Sequence, residues 1–324
     1  MTRFDTSAAP HIRDNSTTGQ LMGQVLLSAL PAAAVGVWQF GLRSALVLAV
    51  CVVTAMAAEA LFSRAFLRRA TLADGTAAVT GLLLGLTLPP SIPYPLAALG
   101  ALFAVVAVKG LFGGLGQNIF NPALAARAFL LLFFPAAMTH YTDPAAQLPL
   151  TSAADVATTA TPLHHMVLAD LPPQTLIDVF LGRVGGSIGE VSAAALLLGG
   201  GYLLWRRVIS YHIPAAYLAT VFLLVSLLHL GDRPLLWAAY NLCSGGVLLG
   251  AFFMATDYVT SPTTRWGQIL YGAGCGVLTV VFRYTGLFPE GVTYAILLMN
   301  ALVWIIDRHT APRRFGVKKG GKRA

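Results

Sequence analysis

Residues 44–63 read SALVLAVCVVTAMAAEALFS, twenty residues that carry a single charge, Glu59. A helix of that length is about 30 Å long, which matches the hydrocarbon core of a bilayer. Working outward from it, apolar segments recur near residues 21–42, 76–88, 95–109, 123–138, 191–205, 214–230, 235–256, 267–282 and 290–306. Together they predict an all-α polytopic membrane protein with about ten transmembrane helices, several of them short. Between Thr139 and Glu190 the pattern stops. That stretch is rich in Thr, Pro, Asp and Ala and too polar to span, so it reads as one long loop.

The composition agrees with this reading. Of the 324 residues, 56% are hydrophobic and only 10% charged, with mean hydropathy +0.72, whereas soluble domains carry about 25% charged residues. Soluble enzyme folds, nucleic-acid readers and disulfide scaffolds are thereby excluded. The net charge of +8 is largely a tail, because seven of the 21 Lys and Arg lie between Arg308 and Arg323. Cys51, Cys243 and Cys275 sit singly in apolar segments, without the close spacing of a zinc or iron–sulfur site, and no metal ligands are assigned. The first 19 residues are polar, so no cleavable leader is expected and the first span stays as an anchor.

Orientation follows from the basic residues. With the N-terminus inside, Arg64, Arg68, Arg69, Lys109, Arg206, Arg207, Arg265 and the tail fall on the cytoplasmic side, against Arg43, Arg183, Arg233 and Arg283 on the other. In the long loop Arg183 stands alone against Asp143, Asp155, Asp170, Asp178 and Glu190, which places that loop in the periplasm. Both termini are then cytoplasmic, in a bacterial inner membrane.

A repeat is visible as well. GLLLG at residues 81–85 recurs as GVLLG at residues 246–250, and each is followed by a proline break, at Pro89-Pro90 and at Pro262. The first copy runs outward and the second inward, the pattern of inverted repeats with broken helices. The expected organisation is a cytoplasmic N-terminal segment (1–20), a first membrane repeat of five helices (21–138), a periplasmic loop (139–190), a second five-helix repeat (191–306) and a basic cytoplasmic tail (307–324).

Four stretches carry the chemistry. DVATTAT at residues 155–161 is by composition an exposed Ser/Thr turn. It resembles the flavinylation signature, in which a flavin transferase esterifies a threonine with the phosphate of FMN. The resemblance makes Thr161 the acceptor and Asp155 and Thr158 recognition residues; Thr159 departs from the commoner glycine. KGLFGGLGQN at 109–118 runs into Asn121-Pro122, FMATD at 253–257 runs into TSPTT at 260–264, and PEGV at 289–292 runs into LMNAL at 298–302. Together they resemble the NqrB/RnfD family. Within it they are similar to the D-type membrane protein of the Rnf electron transport complex and, more distantly, to the B-type membrane protein of the sodium-translocating NADH:quinone reductase. The similarity extends from about Thr80 to Gly316, and the short N-terminal segment favours Rnf.

The resemblance implies a covalent FMN, a noncovalent riboflavin in the membrane domain, and a role in a ferredoxin:NAD oxidoreductase that moves Na+ or H+. It also implies partners: an NADH and flavin subunit, iron–sulfur subunits, a periplasmic FMN subunit and two small membrane subunits. The chain itself has no NAD fingerprint and no cysteine cluster, so it is not catalytic alone. On physical grounds the Gly113–Gly116 loop offers backbone N–H groups near a helix start, and Asn118 and Asn121 offer amides that suit a ring edge. With Asp257 in the facing loop, these residues are expected near the second flavin. Charges at membrane depth are costly, which singles out Glu59, Lys109, Arg127 and Asp257 as functional candidates. The competing class is a solute or ion transporter or channel on the same inverted-repeat fold, with no redox role.

Overall fold

The computed structural model describes residues 16–67, 74–114, 116–142, 149–150, 174–228, 233–285 and 291–311. Among them the chain is helical. Helix α1 spans Thr18–Phe40 and α2 Leu42–Phe62, the latter running on through a π-helical turn, Ser63–Leu67. Next come α3 (Thr76–Thr87) and α4 (Tyr94–Leu102), which continues as a π-helix over Phe103–Gly110. Helix α5 (Pro122–Phe133) and the short α6 (Pro135–Thr139) complete the first half. The second half holds α7 (Leu176–Leu181), α8 (Ala193–Trp205), α9 (His212–Leu228) and α10 (Pro234–Cys243). It ends with α11 (Val247–Leu249), extended by a π-helix over Gly250–Met254, then α12 (Arg265–Tyr284) and α13 (Val292–Thr310). Every apolar segment found in the sequence is occupied by one of these helices.

Their ends follow local chemistry. Helix α1 opens on a capping box, with Gln20 N–H donating to Thr17 Oγ1 at 3.3 Å and Thr17 N–H to Gln20 Oε1 at 3.1 Å. Gly41, at φ 79°, supplies the left-handed residue that ends it and lets the chain reverse into α2. Helices α5 and α10 begin at prolines, where the missing N–H costs nothing.

Helices α1 and α2 are long and apolar enough to cross a membrane, and the pair formed by α10 with α11 and its π extension passes the same test as a single span bent by 65°. The chain is thus a multi-pass helical membrane protein. Five further apolar helices are shorter, namely α3, α4 with its π segment, α5, α8 and α9, while α12 and α13 have 20 and 19 residues.

Small residues bring the helices together, as expected where lipid and side chain are equally apolar. A Cβ at Gly81 would meet Cys51 O of α2 at 2.7 Å and Val52 Cα at 2.8 Å. In the second half, Cβ atoms at Gly272 and Gly276 of α12 would meet Ile213 O and Thr220 Cβ of α9, each at 2.7 Å. The two GxLLG copies differ in use: Gly81 lies inside continuous α3, whereas Gly246 forms the bend before α11. The end of the long loop returns to the core, with Ile188 N–H bonding Leu88 O at 3.0 Å and Gly189 N–H bonding Leu86 O at 2.8 Å.

Gly81→Leu is expected to destabilise the detergent-solubilised protein by about 1–3 kcal/mol through overpacking of the α2–α3 seam. Gly201→Leu, where nothing lies within 4 Å, should leave the melting temperature within a degree or two; equal melting of the two variants would deny the seam its role.

Candidate functional site

Six charged side chains are buried among the described residues: Arg43, Glu59, Lys109, Arg127, Glu190 and Arg283. Each has partners. Arg43, 3% exposed, stands at the start of α2 and donates to five carbonyls: Pro90 at 3.0 Å, Ser91 and Ile92 at 3.3 Å, Pro149 at 3.1 Å and Leu150 at 3.3 Å. Tyr94 Oη adds a bond to Leu150 O at 2.8 Å, and Tyr240 Oη bonds Gln174 O at 2.9 Å. The chain on either side of residues 151–173 is therefore fixed to the helical body. Asp155, Thr158 and Thr161 lie outside the described residues.

At the bend between α10 and α11, Arg283 of α12 donates to Asn241 O at 2.7 Å and to Ser244 O at 2.9 Å. Glu190 faces the start of α11, its Oε1 standing 2.6 Å from where a Gly246 Cβ would lie, and pairs with Arg127 of α5 at 2.5 Å. A carboxylate at a helix N-terminus and a cation at a helix C-terminus both complement the helix dipole.

The opposite end of α2, on the order of 24 Å from Arg43 by helix rise, holds the second cluster. Here a cavity of about 280 Å³ opens between the starts of α1, α3 and α5, the end of α8 and the two π-helices. It is close to the lower end of small-molecule pockets, roughly 300–1,000 Å³. Apolar side chains such as Met22, Val79, Leu83, Leu203 and Phe252 form its walls, and its polar groups include Thr76, Thr80, Lys109, Asn118, Asn121 and Asp257. Sequence positions far apart, Asn118, Asn121 and Asp257, thus meet on one wall system.

Their states differ. Asn118 donates to Phe120 O at 3.1 Å and faces the cavity. Asn121 is largely engaged as the cap of α5: its Oδ1 accepts from Ala123 N at 3.0 Å and Leu124 N at 3.3 Å, and its Nδ2 donates to Met254 O at 3.1 Å. Asp257, in the loop after the π-helix, accepts from Thr260 Oγ1 at 3.1 Å. Burial pushes its carboxyl up, against the opposing pull of the Thr260 hydroxyl and the Val259 and Tyr258 amides.

The glycine loop behaves otherwise than expected. Gly113, Gly114 and Gly116 have φ of 109°, 96° and 89°, so they let the chain turn back toward α5. However, Gly113 N–H bonds Gly110 O and Gly114 N–H bonds Lys109 O. These donors serve the turn, and none of the three glycines lines the cavity.

Three side chains make contacts that were not legible in the sequence. Lys109 Nζ donates to Glu59 Oε1 at 2.7 Å and to Thr76 Oγ1 at 2.6 Å. Tyr258 Oη bonds Val208 O, tying the Asp257 loop to the turn after α8. Asn300 of α13 joins the halves: with its amide assigned the orientation that satisfies both its oxygen and its nitrogen, Nδ2 donates to Thr260 O at 3.2 Å and Oδ1 accepts from Asn121 N–H at 3.1 Å. The motif LMNAL around Asn300 was the available signal; its partners were not.

Comparison with known proteins bears on this site. Residues 5–316 match the NQR2, RnfD, RnfE family. The chain is 45% identical over 322 residues to the D subunit of the Na(+)-translocating ferredoxin:NAD(+) oxidoreductase complex of Acetobacterium woodii, covering 98% of this chain and 97% of that one. It is 39% identical to the D subunit of the proton-translocating ferredoxin:NAD(+) oxidoreductase complex of Clostridium ljungdahlii, with 98% and 97% covered. Identity to the D subunit of the ion-translocating oxidoreductase complex of Halorhodospira halophila is 41%, over 95% of this chain and 94% of that one.

Arg127→Met alone should destabilise the protein by about 3–5 kcal/mol, because it strands a buried carboxylate, while Arg127→Met with Glu190→Met recovers most of the loss. Thermal unfolding in detergent of both variants checks this; equal losses would mean that the pair is not energetically coupled.

Proposed function

The chain belongs to the NQR2, RnfD, RnfE family, and from that premise we propose that it is the D-type membrane component of an ion-translocating ferredoxin:NAD oxidoreductase. In this reading it carries FMN esterified to Thr161 and a noncovalent flavin, riboflavin, in the cavity bounded by Asn118, Asn121 and Asp257. It works only within a complex with NADH/flavin, iron–sulfur, periplasmic FMN and small membrane subunits, and a flavin transferase installs the FMN. About ten spans form two inverted repeats in the inner membrane, with both termini cytoplasmic and the loop over residues 139–190 periplasmic.

The observation that carries the reading is the convergence of three positions from the two halves, Asn118, Asn121 and Asp257, on one largely apolar cavity with a few polar groups. A planar ring fits such walls, with Met22, Val79, Leu83 and Phe252 for its faces and amides for its edge. Asn118 is the group best placed to hold that edge. Asn121 acts through the backbone, holding the Met254 carbonyl and the start of α5 in place. Asp257 supplies an acceptor whose raised proton affinity suits a ring N–H. A bound flavin supplies one- and two-electron chemistry, while the protein contributes position, dryness and charge.

At the other face, Arg43, Tyr94 and Tyr240 anchor the ends of the loop that bears Thr161. A phosphoester keeps a flavin on that loop through both redox states. The relatives' names attribute Na+ to one protein and protons to another, so the coupling ion is not assigned.

The test is in-gel flavin fluorescence after denaturation, on protein co-expressed with a flavin transferase, together with acid extraction of dissociable flavin. Thr161→Ala should darken the band and Thr159→Ala should not. Asn118→Leu should lower the extractable flavin several-fold while the band stays fluorescent. A dark wild-type band without extractable flavin would favour the transporter class, for which the bent α10–α11 pair is the supporting feature.

A further inference from the structure

We propose that Lys109 and Glu59 set, in opposite directions, the reduction potential of the ring held in the cavity. The inference rests on the flavin reading of that cavity. Lys109, 5% exposed, is the one basic side chain among the described residues that line it. Its ammonium has three N–H donors. Two go to Glu59 Oε1 and Thr76 Oγ1, which leaves one for the cavity.

A purely structural tie between α2 and the helix after α4 would hold both charges away from any ligand space and satisfy both oxygens of the carboxylate. Neither condition is met. Lys109 and Thr76 both line the cavity, whereas Glu59 stands behind them, and Glu59 Oε2 is buried with no partner. The backbone contributes too. Lys109 is carried on the π-helix Phe103–Gly110, whose wider turn is seen in the bond from Leu111 N–H to Val106 O at 3.0 Å. Such π segments recur at functional sites because they re-aim one side chain out of the helical register.

The electrostatics fix the sign. Two electrons and one proton entering an isoalloxazine leave it with one negative charge. The electrons come from the redox partner and the proton from solvent; Lys109 gives up neither, and no bond to the protein forms or breaks. The ammonium favours the charged, reduced ring in this low-dielectric setting. The Glu59 carboxylate, one atom layer further back, opposes it. Lys109 is thus a positioning and charge-setting residue, and the pair is a matched source of opposite fields.

The experiment is a spectroelectrochemical titration of the intact complex, in a Thr161→Ala background that removes the covalent signal from this chain, each variant read against the parent so that the flavins of the partner subunits cancel, with riboflavin content measured by acid extraction and separated from FMN by chromatography. Lys109→Gln should lower the preference for reduced over oxidised flavin at least tenfold, a fall of about 30 mV for a two-electron couple. Glu59→Gln should raise it by a similar factor, and Lys109→Arg should stay near the parent. If Lys109→Gln does not assemble, Glu59→Gln and Lys109→Arg decide the matter. Parental potentials in Glu59→Gln and Lys109→Gln at full flavin content would overturn the inference and leave the flavin site standing. Absence of extractable riboflavin, as distinct from the FMN of the NADH/flavin subunit, from the parent complex would remove the flavin reading, and this inference with it.

Discussion

Every carbonyl and amide freed where a helix stops short inside an apolar slab must find its partner within the protein, since lipid offers none. This chain stops its helices often. Helix α3 ends at Thr87, the α10–α11 pair is bent by 65°, and several apolar helices are shorter than a bilayer is thick. The rest of the structure depends on how those breaks are satisfied. Arg43 takes the carbonyls beyond α3, Arg283 takes those at the end of α10, and Asn121 caps α5. A guanidinium suits the first two because its planar fork reaches several acceptors at once.

The same need explains why charges occur at depth here. The cost of burying an ion falls only when it is paired and hydrogen-bonded. Arg127 meets Glu190 and Lys109 meets Glu59. The two pairs nevertheless differ in character. Arg127–Glu190 belongs to the bend, with Glu190 against the start of α11. Lys109–Glu59 belongs to the cavity, with one member on its lining.

The helices were legible because apolar runs near twenty residues have few other uses, and residues 44–63 became α2. The proximity of Asn118, Asn121 and Asp257 was legible as a pairing of two loops. Harder to read was what each would do. Asn121 looked like a ligand-facing amide, but a residue before a proline at a helix start is a cap, and its oxygen is taken by Ala123 and Leu124. The glycines of 113–116 looked like an anion cradle, yet the reversal itself uses the N–H groups of Gly113 and Gly114. Glu190 read as a loop acid and is buried, because its partner Arg127 lies 63 positions away. Long-range pairs of this kind leave no periodic trace in one sequence. Asp155, Thr158 and Thr161 are singled out only by resemblance, since general chemistry gives a Thr-rich loop no special role, and they lie outside the described residues.

One consequence of the Asn300 network concerns timing. Asn300 sits midway along α13, the last helix among the described residues, and it holds both Asn121 and the Thr260 carbonyl. The start of α5 and the turn at Thr260, one from each half, are therefore tied together only once α13 has left the ribosome and docked.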